Sequence, residues 1–198
     1  MTTLTTIPGY TYGTEAVAKS PLTDEDFDRL KQSTLFSEED VKALRLAGEV
    51  LDDQVEDLLD VWYGFIGGLP FLVHEFSDQK GNPDPDYLAA VRRRFGQWVR
   101  DTTKADYDRA WLDYQHEIGL RHTPAKKNRT DGVQSASDQV PLRYLIASVA
   151  PITETVRPFL AKKGHAPEQV EAMYRAWTRA VILQVALWSL AYTEGGGA

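Results

Sequence analysis

The chain contains no cysteine among its 198 residues. That absence excludes disulfides, thiolate nucleophiles, zinc–thiolate sites and Cys-ligated iron–sulfur clusters. Positive charge is in deficit, with 22 Lys plus Arg against 29 Asp plus Glu and a formal net charge of −7. A general nucleic-acid binder needs a basic face to displace counterions, so no nucleic-acid partner is expected. Long apolar runs are lacking too. The longest mostly apolar stretch, Ala180–Tyr192, falls short of the ~20 residues that span a bilayer. Met1–Tyr10 has neither a basic start nor an apolar segment, so no secretory signal is read there. No phosphate loop, dinucleotide fingerprint or Gly-x-Ser-x-Gly elbow occurs. A single cytoplasmic domain without a membrane partner is the expectation.

Aromatic side chains are plentiful, with 5 Trp, 9 Tyr and 7 Phe, and need a place to pack. Residues 1–21 hold Pro8, Gly9 and Gly13 among tyrosines and read as an arm without a helix. Thr23 with Asp26 three positions on is a capping-box start for a short helix through Lys31. After Ser37, the residues Val41, Leu44, Ala47, Leu51, Val55, Leu58 and Trp62 recur every three or four positions, predicting one amphipathic helix to Ile66. Gly67-Gly68 and Pro70 end it. Further helices are predicted from Pro85, with Leu88, Val91, Phe95 and Trp98 on one stripe, and from about Asp106, with Trp111, Gln115, Ile118 and His122 on one face. Thr123–Gln139 reads as a long loop. Two long helical patterns follow, Val140–Lys163 interrupted by Pro151 and Pro158, and Pro167–Tyr192 with proline in a favoured first-turn position. Residues 193–198 read as a flexible tail. No alternating strand pattern is present, so the fold class is all-α, with about seven or eight helices.

Only four histidines are available: His74, His116, His122 and His165. His116 and His122 are six apart, which leaves their rings about 120° apart on a helix instead of on one face, so they do not form a zinc-protease pair. His122 follows Ile118 by four and has two readings, an inward axial metal ligand or a core histidine bonded to a carbonyl. Tyr63 is either a phenol aimed into a pocket or an interior tyrosine bonded to the backbone. Phe95 is either pocket wall or simple packing. Arg92-Arg93-Arg94 reads as a solvated face or a single-anion contact, and Asn128-Arg129-Thr130 as a chance sequon.

The local wording then narrows the choice. Ile7-Pro8-Gly9-Tyr10-Thr11-Tyr12-Gly13, Asp60-Val61-Trp62-Tyr63-Gly64-Phe65, Tyr87-Leu88-Ala89-Ala90-Val91-Arg92, Trp111-Leu112-Asp113-Tyr114-Gln115, Glu117 through His122, Arg143-Tyr144-Leu145, Arg157 through Ala161 and Leu183 through Trp188 resemble the protoglobins. These are single-domain haem proteins of the globin-coupled-sensor lineage. The resemblance implies an expanded globin fold over residues 22–192, a 3-over-3 helical sandwich with an extra N-terminal helix, and an arm at 1–21 covering a haem b. It implies His122 as the proximal iron ligand, Trp62 and Tyr63 as the distal pair, and Phe95 as the distal wall. Val91, Arg94, Trp111, Ile118 and Tyr12 are the further cofactor contacts expected, with Arg94 at the propionates because it adjoins Phe95 at the pocket's lip. O2, CO and NO are the implied ligands, and a homodimer through the last two helices is the implied assembly.

Some positions depart from the family pattern. His116 replaces a tyrosine, Thr123-Pro124-Ala125 follows the proximal histidine, and the loop before Arg143 is one residue longer. Ser148 stands where an aromatic is usual, and Leu190-Ala191 lacks a familiar proline. These changes bear on tunnel shape and ligand rates. No signalling domain follows the globin-like stretch, so a one-chain sensor-transducer is not the expectation. Reversible gas binding, for storage or for sensing through a separate partner, is the leading expectation. The alternative is a haem enzyme that detoxifies NO or peroxynitrite with an external electron donor. A haem-free, globin-like structural dimer is the third class, which His122 and the distal aromatics disfavour.

Overall fold

A computed structural model describes residues 6–193; the flexible tail expected at 193–198 lies, beyond Thr193, outside the described residues, as do the first five positions. The described residues form seven α-helices of ten residues or more and one single-turn helix, and no strand. In chain order these are α1 (Asp24–Ser33), α2 (Glu38–Leu51), α3 (Val55–Gly67), α4 (Pro70–Val73), α5 (Pro85–Lys104), α6 (Arg109–Leu120), α7 (Leu142–Leu160) and α8 (Pro167–Thr193). No helix among them is long and apolar enough to cross a membrane.

The helix starts follow their capping residues. At α1, Thr23 Oγ1 accepts from Asp26 N at 3.1 Å while Asp26 Oδ2 accepts from Thr23 N at 3.1 Å, the reciprocal capping box. Asp84 Oδ1 accepts from Asp86 N and Tyr87 N at the start of α5. Asp108 Oδ1 accepts from Trp111 N at the start of α6.

The single helix predicted from Val41 to Ile66 is instead two, α2 and α3, joined by a 3-10 turn at Asp52–Gln54. The buried Gln54 amide donates to the Val50 carbonyl at 2.7 Å and to the Phe159 carbonyl of α7 at 3.2 Å. A side chain therefore occupies the acceptor that would continue the helical ladder. The opposite correction applies to α7, which runs unbroken through Pro151 and Pro158. Thr153 and Thr155 hydroxyls donate to the Val149 and Pro151 carbonyls. The buried face of Leu145, Val156, Phe159 and Leu160 packs the helix in place.

The core centres on α8, which packs against α2, α6 and α7. One cluster joins Leu44, Leu58, Trp62, Trp98, Met173 and Trp177. A second joins Phe27, Trp111, Leu112, Leu183 and Leu187, and closes α1 onto α6 and α8. Removing this apolar surface from water stabilises the fold by ~25 cal/mol per Å².

Candidate functional site

A cavity of about 360 Å³ opens between α3, α5, α6, α7 and α8, with the arm and the loop after α6 closing one end. Its walls are mainly aromatic and aliphatic, and the volume lies within the ~300–1,000 Å³ of small-molecule and cofactor sites. From α3 come Trp62, Tyr63 and Ile66; from α5 come Val91, Arg94 and Phe95; from α6 come Tyr114 and Ile118. Leu145, Ser148 and Pro151 of α7 face them, and Trp188 of α8 sits beside His122.

His122 lies two residues past the end of α6 and is the only one of the four histidines that lines the cavity. Its Nδ1 is 2.8 Å from the Ile118 carbonyl oxygen. A carbonyl only accepts, so Nδ1 carries the hydrogen, and the neutral ring has its lone pair on Nε2. Burial, reinforced by the charges of Lys127 and Arg121, lowers the ring's pKa to about 4 against the opposing pull of the Ile118 carbonyl. The ring is therefore neutral at pH 7.

The distal aromatics divide their work. The Trp62 indole is 2% exposed and its Nε1–H donates to Thr155 Oγ1 at 2.5 Å, so its one donor is committed to α7. Its ring stacks on Phe95, with centroids 4.7 Å apart. The Tyr63 hydroxyl, in contrast, has no hydrogen-bond partner among the described residues. Burial pushes its pKa upward, against the nearby Arg92 and Arg94 charges, which keeps the O–H as a donor.

The polar end is a set of tied charges. Arg94 donates to both Asp131 oxygens, at 2.8 and 2.7 Å, and to the Pro8 carbonyl at 2.8 Å. Arg121 donates to the Gly9 carbonyl at 2.6 Å, to Thr11 Oγ1 at 2.8 Å and to Glu117 Oε1 at 3.1 Å. Lys127, buried in the loop, donates to the Glu75 and Ser137 carbonyls and to Ser135 Oγ, and burial lowers its pKa.

Trp62, Tyr63, Val91, Arg94, Phe95, Ile118 and His122 thus meet in one cavity. Trp111 and Tyr12 are not among the residues that line it. Trp111 has the right helical phase but lies seven residues before Ile118, about 10 Å along the axis, where it stacks on Tyr107 and Phe27. Tyr12 packs on Tyr114 and the second core cluster, while Tyr10 is the arm tyrosine that reaches the cavity. Sequence reasoning also missed Glu75, Asp101, Lys127 and Trp188; Trp188 was visible within the Leu183–Trp188 wording, whereas the other three carry no local signal. His116 is buried on α6, away from the cavity. Ser148 lines the cavity with its hydroxyl turned back to the Leu145 carbonyl at 2.7 Å.

The donor set suits haem. One neutral histidine with a free Nε2 lone pair faces an apolar cavity, and no cluster of three or more His, Cys, Asp or Glu among the described residues offers a rival metal site. Comparison with known proteins agrees. The family profile described as Protoglobin matches residues 23–197. Among solved structures, the globin domain of the Geobacter sulfurreducens globin-coupled sensor superposes with a TM-score of 0.59 at 16% identity, covering 83% of this chain and 96% of that one. No curated protein matches by sequence.

Proposed function

The chain belongs to the protoglobin family of haem globins, and from that membership we propose that it holds haem b through His122 and reversibly binds O2, CO or NO, for gas storage or sensing. The observation that carries this reading is the neutral His122 ring, Nδ1 tied to Ile118 and Nε2 free, at the wall of an apolar cavity. Haem, when bound, supplies an iron with an open axial position for a diatomic gas. His122 Nε2 would hold the iron through its free lone pair. Trp62 and Phe95 would help keep water from the cavity, and the unpartnered Tyr63 O–H would donate to a polar gas ligand, favouring O2 over the less polar CO.

Arg94 is the proposed propionate partner. Its guanidinium has five N–H donors, of which three are used by Asp131 and Pro8, leaving two for a carboxylate. Residues 8–11 of the arm cover the same end, held by Arg94 and Arg121.

The test is an absorption spectrum of the haem-reconstituted protein, ferric and then dithionite-reduced, with and without CO, beside His122→Ala. The expected result is a five-coordinate ferrous spectrum that converts to a histidine–iron–CO spectrum and is lost or altered in the variant. Failure to take up haem stoichiometrically, or an unchanged spectrum in the variant, overturns the reading.

A further inference from the structure

The Nδ1–H···O bond to Ile118 fixes which nitrogen of His122 is free and restrains the ring at one edge. A second contact restrains the ring by its face. The Trp188 indole lies against the imidazole with centroids 5.6 Å apart and planes inclined by 25°. Trp188 is itself held from α6. Its Nε1–H donates to Gln115 Oε1 at 2.9 Å, and Gln115 is 1% exposed. One turn later comes Gly119, where a Cβ would stand 3.0 Å from the Trp188 carbonyl oxygen and 3.1 Å from its Cα. The lack of a side chain there lets α6 meet the α8 backbone directly. Gln115, Gly119 and His122 therefore grip one tryptophan over successive turns.

Resting on His122 as the iron ligand, we infer that Trp188 is a positioning residue that, together with the Ile118 bond, sets the orientation of the His122 ring, with Gln115 as the anchor of Trp188. Outer-shell contacts of this kind orient a ligating imidazole and tune its bond to the metal. The flat indole face resists ring rotation in a way that an aliphatic side chain of similar bulk does not.

The experiment reads the iron–histidine stretching band by resonance Raman on the ferrous haem-loaded protein. Trp188→Phe keeps a flat face but loses the donor to Gln115, so it should keep the band's position while broadening it as Gln115→Leu does. Trp188→Leu should displace and broaden the band and speed haem loss ~10-fold. Gln115→Leu leaves Trp188 in place but unanchored, and should broaden the band while the circular dichroism stays that of the parent; this variant keeps the inference testable if Trp188→Leu does not fold. A Gln115→Leu or folded Trp188→Leu protein with the parent's band position and width overturns the inference alone. Absence of an iron–histidine band in the parent, or its survival in His122→Ala, overturns the proposed ligand and this inference together.

Discussion

Tyr10 of the arm donates its hydroxyl to Asp101 Oδ2 of α5 at 2.8 Å, joining residues 91 positions apart at the cavity wall. Gln97 Nε2 donates to the other carboxylate oxygen, also at 2.8 Å. Burial raises the pKa of Asp101 and outweighs these two donors and the Lys104 and Arg100 charges, which lower it. The folded chain thus holds the Asp101 proton more tightly than the unfolded chain does. The stability linked to it is fully present below the ordinary aspartate pKa of about 3.9 and is lost as pH rises through the folded value. Asp101→Asn, which stays neutral and accepts from Tyr10 while the Gln97 amide turns its oxygen toward the new NH2, should gain stability relative to the parent as pH rises. Urea denaturation from about pH 4 upward should show that advantage widening with pH. A constant or narrowing gap would contradict the assignment.

Tyr63 makes a kinetic prediction. Tyr63→Phe removes an unpartnered hydroxyl donor beside Trp62 on the cavity's aromatic wall and leaves the Trp62–Phe95 stack intact. A neutral hydrogen bond contributes ~0.5–1.5 kcal/mol, so the O2 dissociation rate should rise about 2- to 12-fold. CO, being less polar, should dissociate at nearly the parent rate. Stopped-flow displacement of each gas measures both, and equal changes for the two gases would sink the hydrogen-bond account.

Local chemistry made much of this legible. The starts of α1 and α5 were readable because Thr23, Asp26 and Pro85 act within three residues of themselves. The helical phase of Ile118 and the wording around Trp62, Tyr63, Phe95 and His122 likewise placed those residues together. What stayed hidden depends on partners far along the chain. The break after Leu51 turns on a Gln54 side chain that also caps Phe159, 105 residues away. The continuity of α7 through two prolines depends on its packing against α8. The arm has no periodicity, so nothing local tells that Tyr10 turns inward and Tyr12 does not. Lys127 is recognisable as a buried cation only once Glu75, 52 positions earlier, lies beside it.

Two glycines in helices should respond to the same substitution with opposite signs. At Gly119 a methyl group would meet backbone atoms of Trp188 at 3.0 and 3.1 Å, and backbone cannot swing aside as a side chain can. Gly119→Ala should therefore destabilise the protein by ~1–3 kcal/mol, the usual cost of overpacking. At Gly64 of α3 no atom lies within 4 Å of the added carbon, so Gly64→Ala should stabilise by ~0.5–1 kcal/mol through the lower entropy of the unfolded chain. Chemical denaturation of both variants checks the pair, and a stable Gly119→Ala would show that α6 and α8 can part without cost.

The last prediction concerns assembly. Ile146 of α7 is 56% exposed and Ile182 of α8 is 43% exposed, so each of the final two long helices carries a large aliphatic side chain in solvent. Single exposed aliphatics are common, but these two fall on the helices through which the family resemblance implies dimerisation. A homodimer through α7 and α8 would bury both, at ~25 cal/mol per Å² of apolar area removed from water. A charge at either site would have to be desolvated at the interface, which disfavours association. Light scattering should therefore give twice the 22.3 kDa chain mass for the parent and a shift toward the single-chain mass for Ile146→Glu combined with Ile182→Glu. Val61 of α3 is equally exposed, at 43%, and lies off those helices, so Val61→Glu should leave the mass at that of the parent. A monomeric parent, or a double variant that stays dimeric, would remove α7 and α8 as the interface.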